Sequence, residues 1–511
     1  MTQTDSAGYP LSGANDHSLA AFEQAAHELR CLVDDPLATT DRALAAAPEM
    51  TMAHVLRAWL HLLGTEPAGI AVARECVAAA QRLPGTDRER RHAHAAGLVA
   101  AGHWRDGARA LEDLSAAYPL DALALQAGHQ VDFFTGDSRL LRDRVARVLP
   151  AWSRSVPGYH AVLGMHAFGL EETGDYAQAE RQGRLCVELQ PRDGWGWHAV
   201  THVMEMRNAP RDGIAWLEPT SAVWSKGSFF AVHNWWHLAL FHLELDHLDE
   251  VLRLYDRSIG GPGSGVVLDM IDQSALLWRL HLRGVDVGAR WAALADRWAP
   301  IAGAGNYAFN DLHAMMAFAA AGREHEQRQL LDAQRAAMAA DGDNADFTRE
   351  VGHAATRAVQ AFAGGDFGES VRLLRPIRSY AHRFGGSHAQ RDVIDLTLIE
   401  AASRNGDRAL HTALVHERAA RRPTPTRSTA SKSCSDAAPS SVRALRPTPR
   451  WRYSRRTAGP KAAPVRSMRS QIGSRSRRCS SAQSGSAVCT TSPRACASGT
   501  PSPRSASSVS A

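Results

Sequence analysis

The sequence lacks long apolar runs and an N-terminal leader. No stretch approaches the roughly 18 uninterrupted apolar residues of a membrane span. The N-terminus, MTQTDSAGYPLSGANDHS, has no basic segment followed by an apolar one. We therefore expect a soluble cytoplasmic protein with no membrane partner.

Cysteine is also scarce, with seven in 511 residues. Cys31, Cys76 and Cys186 lie far apart and without CxxC spacing, which excludes a disulfide framework or a thiolate zinc site among them. We interpret these three as ordinary buried thiols. The other four cysteines, all beyond residue 430, fit no metal-binding spacing.

Acidic residues nearly disappear from the C-terminal part of the chain. Residues 421–511 contain 18 Lys and Arg but a single acid, Asp436, whereas residues 1–420 contain 40 basic and 52 acidic residues. The Ser-, Arg-, Pro- and Ala-rich composition of 421–511 predicts a disordered basic tail. Two interpretations stay open: a basic arm that attracts anions, or a frame error in the reading of a GC-rich gene. Because its only aromatic residues are Trp451 and Tyr453, we do not expect it to bind nucleic acid.

Alternating β-branched runs are scarce, and from about residue 18 to 420 apolar residues recur at helical spacing instead. This pattern predicts an all-α fold. Residues 160–193 match the 34-residue tetratricopeptide pattern, with GDY at 174–176 as the turn between two helices, then Ala179, and Pro191 closing the unit.

Six further turns of the same kind divide the body into helical hairpins. They are GHW at 102–104, GDS at 136–138, DHL at 246–248, GRE at 322–324, GDF at 365–367 and GDR at 406–408. Several lack consensus residues, so we interpret them as degenerate tetratricopeptide-like hairpins. Stacked hairpins bury a continuous core and leave a concave surface lined by their first helices. The prediction is a flexible N-terminus (1–17), an α-solenoid (18–420) and a disordered tail (421–511).

Histidine and tryptophan concentrate in WGWHAVTHVMEM and HNWWHLAL, within residues 195–240. His198 and His202 are four residues apart, as are His233 and His237, so each pair shares one helix face. In the phase of the repeat these faces line the concave groove. The candidate groove residues are Trp195, His198, His202, Glu205, His233, Trp236 and His237, with Asp269 of the following helix.

Three interpretations of this cluster stay open. The side chains are core residues, or they line a groove that binds a protein or peptide, or the four histidines bind a divalent metal with Asp269 as an added ligand or base. The 24 histidines of the chain would give roughly one such pair by chance, so two pairs are a mild excess. We favour a non-catalytic scaffold; the alternative is a metal-dependent or small-molecule-processing enzyme.

Other polar strings have simpler interpretations. Asp311, in FNDLH, is interpreted as a helix cap. FGGSHAQRD at 384–392 predicts a helix end followed by a capped new helix, with an anion site as the alternative. The sequence has no GxSxG, HExxH, dinucleotide-binding or kinase motif, and no catalytic residue is assigned.

Several long strings together resemble one known family. In order they are GMHAFGLEETGDYAQAE, WHAVTHVMEM, HNWWHLAL, LDMIDQSALLWRL, GVDVGARW, FNDLHAMMA, LLRPIR and GGSHAQRDV. They are similar to the tetratricopeptide repeat protein 38 family over residues 18–422. The resemblance implies a helical repeat fold and an interaction or scaffold role, and it implies no catalytic residue. It stops near Arg422, where a family member would continue with a final helix.

Overall fold

The computed structural model describes residues 3–261 and 263–422, so the tail predicted to be disordered lies outside the described residues apart from Arg421 and Arg422. All helices and strands of the described residues belong to one compact unit.

The predicted all-α fold of helical hairpins is confirmed. The described residues form one short two-stranded antiparallel sheet and 24 α-helices. The strands are β1 (Gln3–Thr4) and β2 (Pro10–Leu11), and the helices are α1 (Asp16–Cys31), α2 (Pro36–Ala46), α3 (Thr51–Leu62), α4 (Pro67–Arg82), α5 (Asp87–Ala100), α6 (Trp104–Ala117), α7 (Ala122–Phe134), α8 (Ser138–Val148), α9 (Tyr159–Glu172), α10 (Tyr176–Leu189), α11 (Gly194–Met206), α12 (Pro210–Leu217), α13 (Ser221–Trp224), α14 (Ala231–Glu244), α15 (Leu248–Leu254), α16 (Val267–Leu282), α17 (Arg290–Trp298), α18 (Ala308–Ala320), α19 (Glu324–Met338), α20 (Asp343–Phe347), α21 (His353–Ala363), α22 (Phe367–Ile377), α23 (His388–Arg404) and α24 (Arg408–Arg421).

The helices pack as a stack of hairpins. A first helix contacts its own partner and also the first helix of the next hairpin: α9 packs on α10 and α11, and α3 packs on α4 and α5. The inner helices α9, α11, α14, α16 and α18 are buried on nearly every face. A helix that is apolar all round belongs in the interior of a large core, which is where these helices lie.

All seven predicted turns lie between two helices of the structure. Six of them place a glycine at positive φ, as Gly174 does at 89°, and the seventh places Asp246 at 60°. Glycine reaches this region without steric cost, which explains why the Gly-Asp pairs mark the turns. The Asp that follows caps the next helix, as Asp175 does by accepting from the Gln178 amide at 3.1 Å.

The N-terminal segment, expected from its sequence to be flexible, packs against α5. Asp5 pairs with Arg88 at 2.6 Å, Ser12 donates to Glu89 through both its amide and its hydroxyl, and Leu11 is buried. The helical part begins at Asp16 under the cap of Asn15. Sequence composition missed this packing because the partners lie about 80 residues further along the chain.

Early hairpins also contact late ones. Asn306 donates to the Thr65 carbonyl at 2.9 Å, and the Tyr307 hydroxyl donates to the Phe134 carbonyl at 3.0 Å. The amide of Asp343 donates to the Gly102 carbonyl at 2.9 Å. These contacts bring α18 and α20 against the turns that follow α3, α5 and α7, and they enclose the inner helices.

Two further features concern the cysteines and the apolar helices. Cys31, Cys76 and Cys186 are buried and unpaired, as predicted. Among the described residues, no helix combines the length and the apolar character that a bilayer crossing requires.

Candidate functional site

Four inner helices, α9, α11, α14 and α16, carry the histidine cluster and its neighbours. Asp193 caps helix α11, and its carboxylate accepts from the Gly196 amide at 3.1 Å. A Cβ at Gly196 would lie 2.7 Å from the sulfur of Cys186, so glycine is what allows α11 to approach α10 this closely. This close packing of α11 on α10 fixes where His198 and His202 lie relative to α14.

The structure brings the four predicted histidines together. One ring nitrogen from each of His198, His202, His233 and His237 lies within 4.8 Å of the others. Nε2 of His198 and Nε2 of His233 are 3.0 Å apart. The ring centroids of His198 and His202 are 4.3 Å apart, and those of His202 and His237 are 4.6 Å apart. Two i,i+4 pairs on neighbouring helices have therefore become a single cluster.

Most of these rings are deeply buried and have unpaired nitrogens. His202 and His237 are fully buried, and neither nitrogen of either ring has a hydrogen-bond partner among the described residues. Nδ1 of His198 is also unpaired. Burial lowers the pKa of His202 to about 3 and lowers the pKa of His198 and of His237 well below its ordinary value. The three rings are therefore neutral at pH 7.

Two carboxyl groups stand behind the cluster. Nδ1 of His233 lies 2.8 Å from Oδ2 of Asp272, and Nδ1 of His202 lies 3.3 Å from Oε2 of Glu171. Burial raises the pKa of Glu171 well above its ordinary value, so its contact with His202 joins two neutral groups. The contact with Asp272 orients His233 so that its Nε2 faces His198.

Aromatic side chains surround the cluster. Phe168 of α9 lies with its ring centroid 5.1 Å from His198 and 5.2 Å from His202. Trp195 packs against His198 at 5.6 Å, and Trp236 stacks on His233 at 5.3 Å. This apolar surround is what removes water from the rings and depresses their pKa values.

Two of the predicted residues, Glu205 and Asp269, do not belong to the histidine cluster. Glu205 does not join the histidines: its Oε1 accepts from Arg422 at 2.7 Å. Asp269 is half-buried at the start of α16, and burial raises its pKa to about 6. Six of the eight predicted groove residues are buried, and only His233 and Asp269 are partly exposed. The cluster therefore lies in the interior and not on an open concave surface.

A partly open cavity of about 770 Å³ adjoins the cluster. Its wall is mostly aliphatic and aromatic, and it includes Trp195, His198, His233, Asp269 and Asp272 of the candidate site. Its other walls come from α1, α3, α4 and α7 and from the loops around residues 34–37 and 228–230. The histidine cluster thus forms part of the wall of a chamber large enough for a small molecule.

Exposed apolar residues surround the mouth of this cavity. Only four large apolar side chains are exposed in the described part of the chain: Val223, Phe229, Val266 and Leu268. Three of them, Phe229 (47%), Val266 (49%) and Leu268 (36%), line the cavity. Exposed apolar side chains that gather at one opening indicate where an apolar molecule enters.

Asp311 does not act as the predicted cap. Helix α18 has no side-chain cap, and the amide of Ala308 instead donates to Asn344 at 2.9 Å. Asp311 is buried, and burial raises its pKa to about 7.

The capping prediction for 384–392 is confirmed, because Ser387 and Gln390 form a reciprocal capping box at the start of α23.

Sequence reasoning missed the part played by Glu171 and Glu172. Glu172 lies 3.0 Å from His388, and although burial raises its pKa, the charges of His388 and Arg391 hold it down to about 2. The available signal was two consecutive acids at the end of a helix that is otherwise apolar. Consecutive acids on a buried helix require partners from elsewhere in the fold.

No protein-family model matches the chain. Among solved structures, the tetratricopeptide-repeat domain of P58(IPK) is similar, with 11% sequence identity and a TM-score of 0.19, over 77% of this chain and 89% of that chain. The all-helical hairpin fold is established by the helices described above. Membership of the tetratricopeptide repeat protein 38 family stays a prediction from the sequence.

Proposed function

We propose that this protein binds a small, mainly apolar molecule in its interior cavity. The observation that carries the proposal is the chamber itself: about 770 Å³, walled mainly by apolar side chains, with three exposed apolar residues at its mouth. This volume lies within the range of small-molecule sites, roughly 300–1,000 Å³.

The polar groups of the wall favour an uncharged ligand. No Lys or Arg belongs to the described lining, whereas five carboxyl groups do, so a ligand with a carboxylate would meet like charges and no cationic side chain. Burial raises the pKa of Glu66 and raises that of Asp269 to about 6. Nε1 of Trp195 and Oε1 of Gln130 are buried and unpaired among the described residues. A donor and an acceptor of this kind suit a hydroxyl group.

The predicted protein-binding scaffold would use different residues. Of the eight predicted groove residues, only His233 and Asp269 are partly exposed, so a folded partner cannot reach most of this set. The cavity therefore supports a small molecule better than a protein partner.

Isothermal titration of the full chain with decan-1-ol and with decanoate, both in EDTA, tests the proposal. We expect saturable binding of decan-1-ol and at least roughly tenfold weaker binding of decanoate, because the wall offers no cation. Absence of saturable binding of decan-1-ol, or equal binding of the two probes, would contradict the proposal.

Val266→Asp separates binding from stability. Val266 is at the N-cap of α16, where it makes no side-chain cap, so an aspartate there should leave stability unchanged or raise it by about 1 kcal/mol. A charge at the cavity mouth should weaken decan-1-ol binding about tenfold, close to the loss of one buried Val contact. Titration and thermal melting of the same samples measure both effects.

Val223→Asp is the matched control. Val223 is exposed (40%) but does not line the cavity, so its replacement should leave decan-1-ol binding unchanged. Equal loss of binding in both variants would show that the probe binds to exposed apolar surface and not in the cavity.

A further inference from the structure

We propose that His198, His202, His233 and His237 bind one divalent transition-metal ion of the zinc type. The four imidazoles come from two helices that stand side by side, and no other cluster in the described residues offers four histidine ligands. Imidazole suits zinc, copper, iron and nickel, whereas magnesium and calcium require oxygen ligands. This inference goes beyond ligand binding in the cavity and does not depend on it.

The spacing of the nitrogens fits a shared ion. With metal–nitrogen bonds of about 2.0–2.1 Å, two ligands of a tetrahedral site lie roughly 3.3 Å apart. Nε2 of His198 and Nε2 of His233 are 3.0 Å apart, and the four ligand atoms all lie within 4.8 Å of one another. A shared ion would require the longer of these separations to shorten toward 3.3 Å.

The unpaired nitrogens are the second, independent observation. Five ring nitrogens of His198, His202 and His237 are buried and have no hydrogen-bond partner among the described residues. Each unpaired buried polar atom destabilises the fold, because it has lost its hydration without gaining a partner. A metal ion accepts one lone pair from each ring and so removes much of this destabilisation. Apolar side chains in the same place would not produce it at all.

The carboxylate of Asp272 matches the outer partner of a metal-bound histidine. It lies 2.8 Å from Nδ1 of His233, which leaves Nε2 as the ligand atom. Such a carboxylate–histidine contact fixes the ring and its tautomer at known metal sites, and it tunes the affinity for the ion.

The position of the cluster gives such an ion access to the cavity. His198 and His233 belong to the wall, while His202 and His237 lie behind them, fully buried. A site with four histidine ligands is a closed, structural one, but release of the wall ligand His233 would open one position toward the chamber.

Titration of EDTA-treated full-length protein with Co²⁺ and Zn²⁺, without any cavity ligand, tests the inference. We expect one Co²⁺ per chain, an intense visible absorption band of a tetrahedral site, displacement of Co²⁺ by Zn²⁺, and a melting temperature that rises with Zn²⁺. No band and no change in melting would overturn the inference and leave four core histidines.

Three variants locate the ion. His237→Gln should abolish the band, whereas His313→Gln, which removes a buried histidine outside the cluster, should leave it unchanged. Asp272→Asn should keep the stoichiometry but weaken Co²⁺ binding roughly 10–100-fold, because it acts through His233. If His237→Gln fails to fold, the Asp272→Asn affinity and the wild-type band still decide. An unchanged band in a folded His237→Gln, or unchanged affinity in Asp272→Asn, would place the metal elsewhere and overturn the inference.

Discussion

His313 lies fully buried on α18, where its Nδ1 donates to the Phe309 carbonyl at 2.8 Å. Burial lowers the pKa of His313 to about 4. An unfolded histidine has a pKa of about 6.5, so between these values the unfolded chain binds a proton that the native chain does not. The contribution of this residue to stability is therefore fully present above about pH 6.5 and is lost as the pH falls toward 4.

His313→Gln should flatten the pH dependence of stability. We expect the slope of the free energy of unfolding between pH 4.5 and 6 to fall by up to about 1.4 kcal/mol per pH unit, the value for one proton. Urea unfolding at several pH values measures it. His17 is exposed, and His17→Gln serves as the control. An identical slope in wild type and His313→Gln would show that burial does not exclude the proton there.

At the scale of single residues, the sequence predicts only part of the candidate site. The i,i+4 spacing of the histidines predicts two polar helix faces, because helical periodicity depends on the local sequence alone. The positions of Asp272 and Glu171 behind the rings depend on how α9 and α16 pack against α11 and α14. Glu205 lies on the same helix as His202, yet its partner is Arg422, which is more than 200 residues away in the sequence.

At the scale of elements, turns with the same sequence pattern serve different purposes. Gly174 and Gly136 both turn the chain between two helices, with φ of 89° and 73°. A Cβ at Gly174 would meet nothing within 4 Å, whereas a Cβ at Gly136 would lie 1.7 Å from the His382 carbonyl oxygen. Gly174 is required only by the positive φ of the turn. Gly136 is required by the positive φ and also by the close contact between distant hairpins.

Gly136→Ala should therefore cost more than Gly174→Ala. Positive φ alone costs an alanine about 1–2 kcal/mol, which is the loss expected for Gly174→Ala. Gly136→Ala should add roughly 1–3 kcal/mol, because the His382 carbonyl has to move away. Thermal or urea unfolding of the two variants gives the difference directly, and equal losses would show that the contact between distant hairpins contributes nothing to stability.

Over the whole molecule, the hairpins were predictable and their enclosure was not. A glycine or an aspartate at positive φ marks each of the seven turns locally, so the order of the helices follows from the sequence. The contacts of Thr65 with Asn306 and of Phe134 with Tyr307 join residues more than 170 positions apart, and no local pattern encodes them. The same folding places a partly open cavity where the sequence predicts an open groove, and it buries six of the eight residues expected to face a partner.

The charge of the chain fits an interior site better than a surface one. The formal charge of +5 comes from residues 421–511, since residues 1–420 carry 40 basic and 52 acidic residues. An acidic body does not attract anionic ligands over a distance. The uncharged ligand inferred from the cavity wall does not depend on such attraction.

A crystal structure with 10-bromodecan-1-ol, recorded at the bromine absorption edge, tests the central claim most directly. We predict a single strong anomalous peak inside the chamber between Trp195, Phe230 and the mouth residue Val266, all of which line it. A peak on the outer surface alone, or a chamber closed by its own side chains with no bromine signal, would contradict the claim that this protein holds a small apolar molecule in its interior.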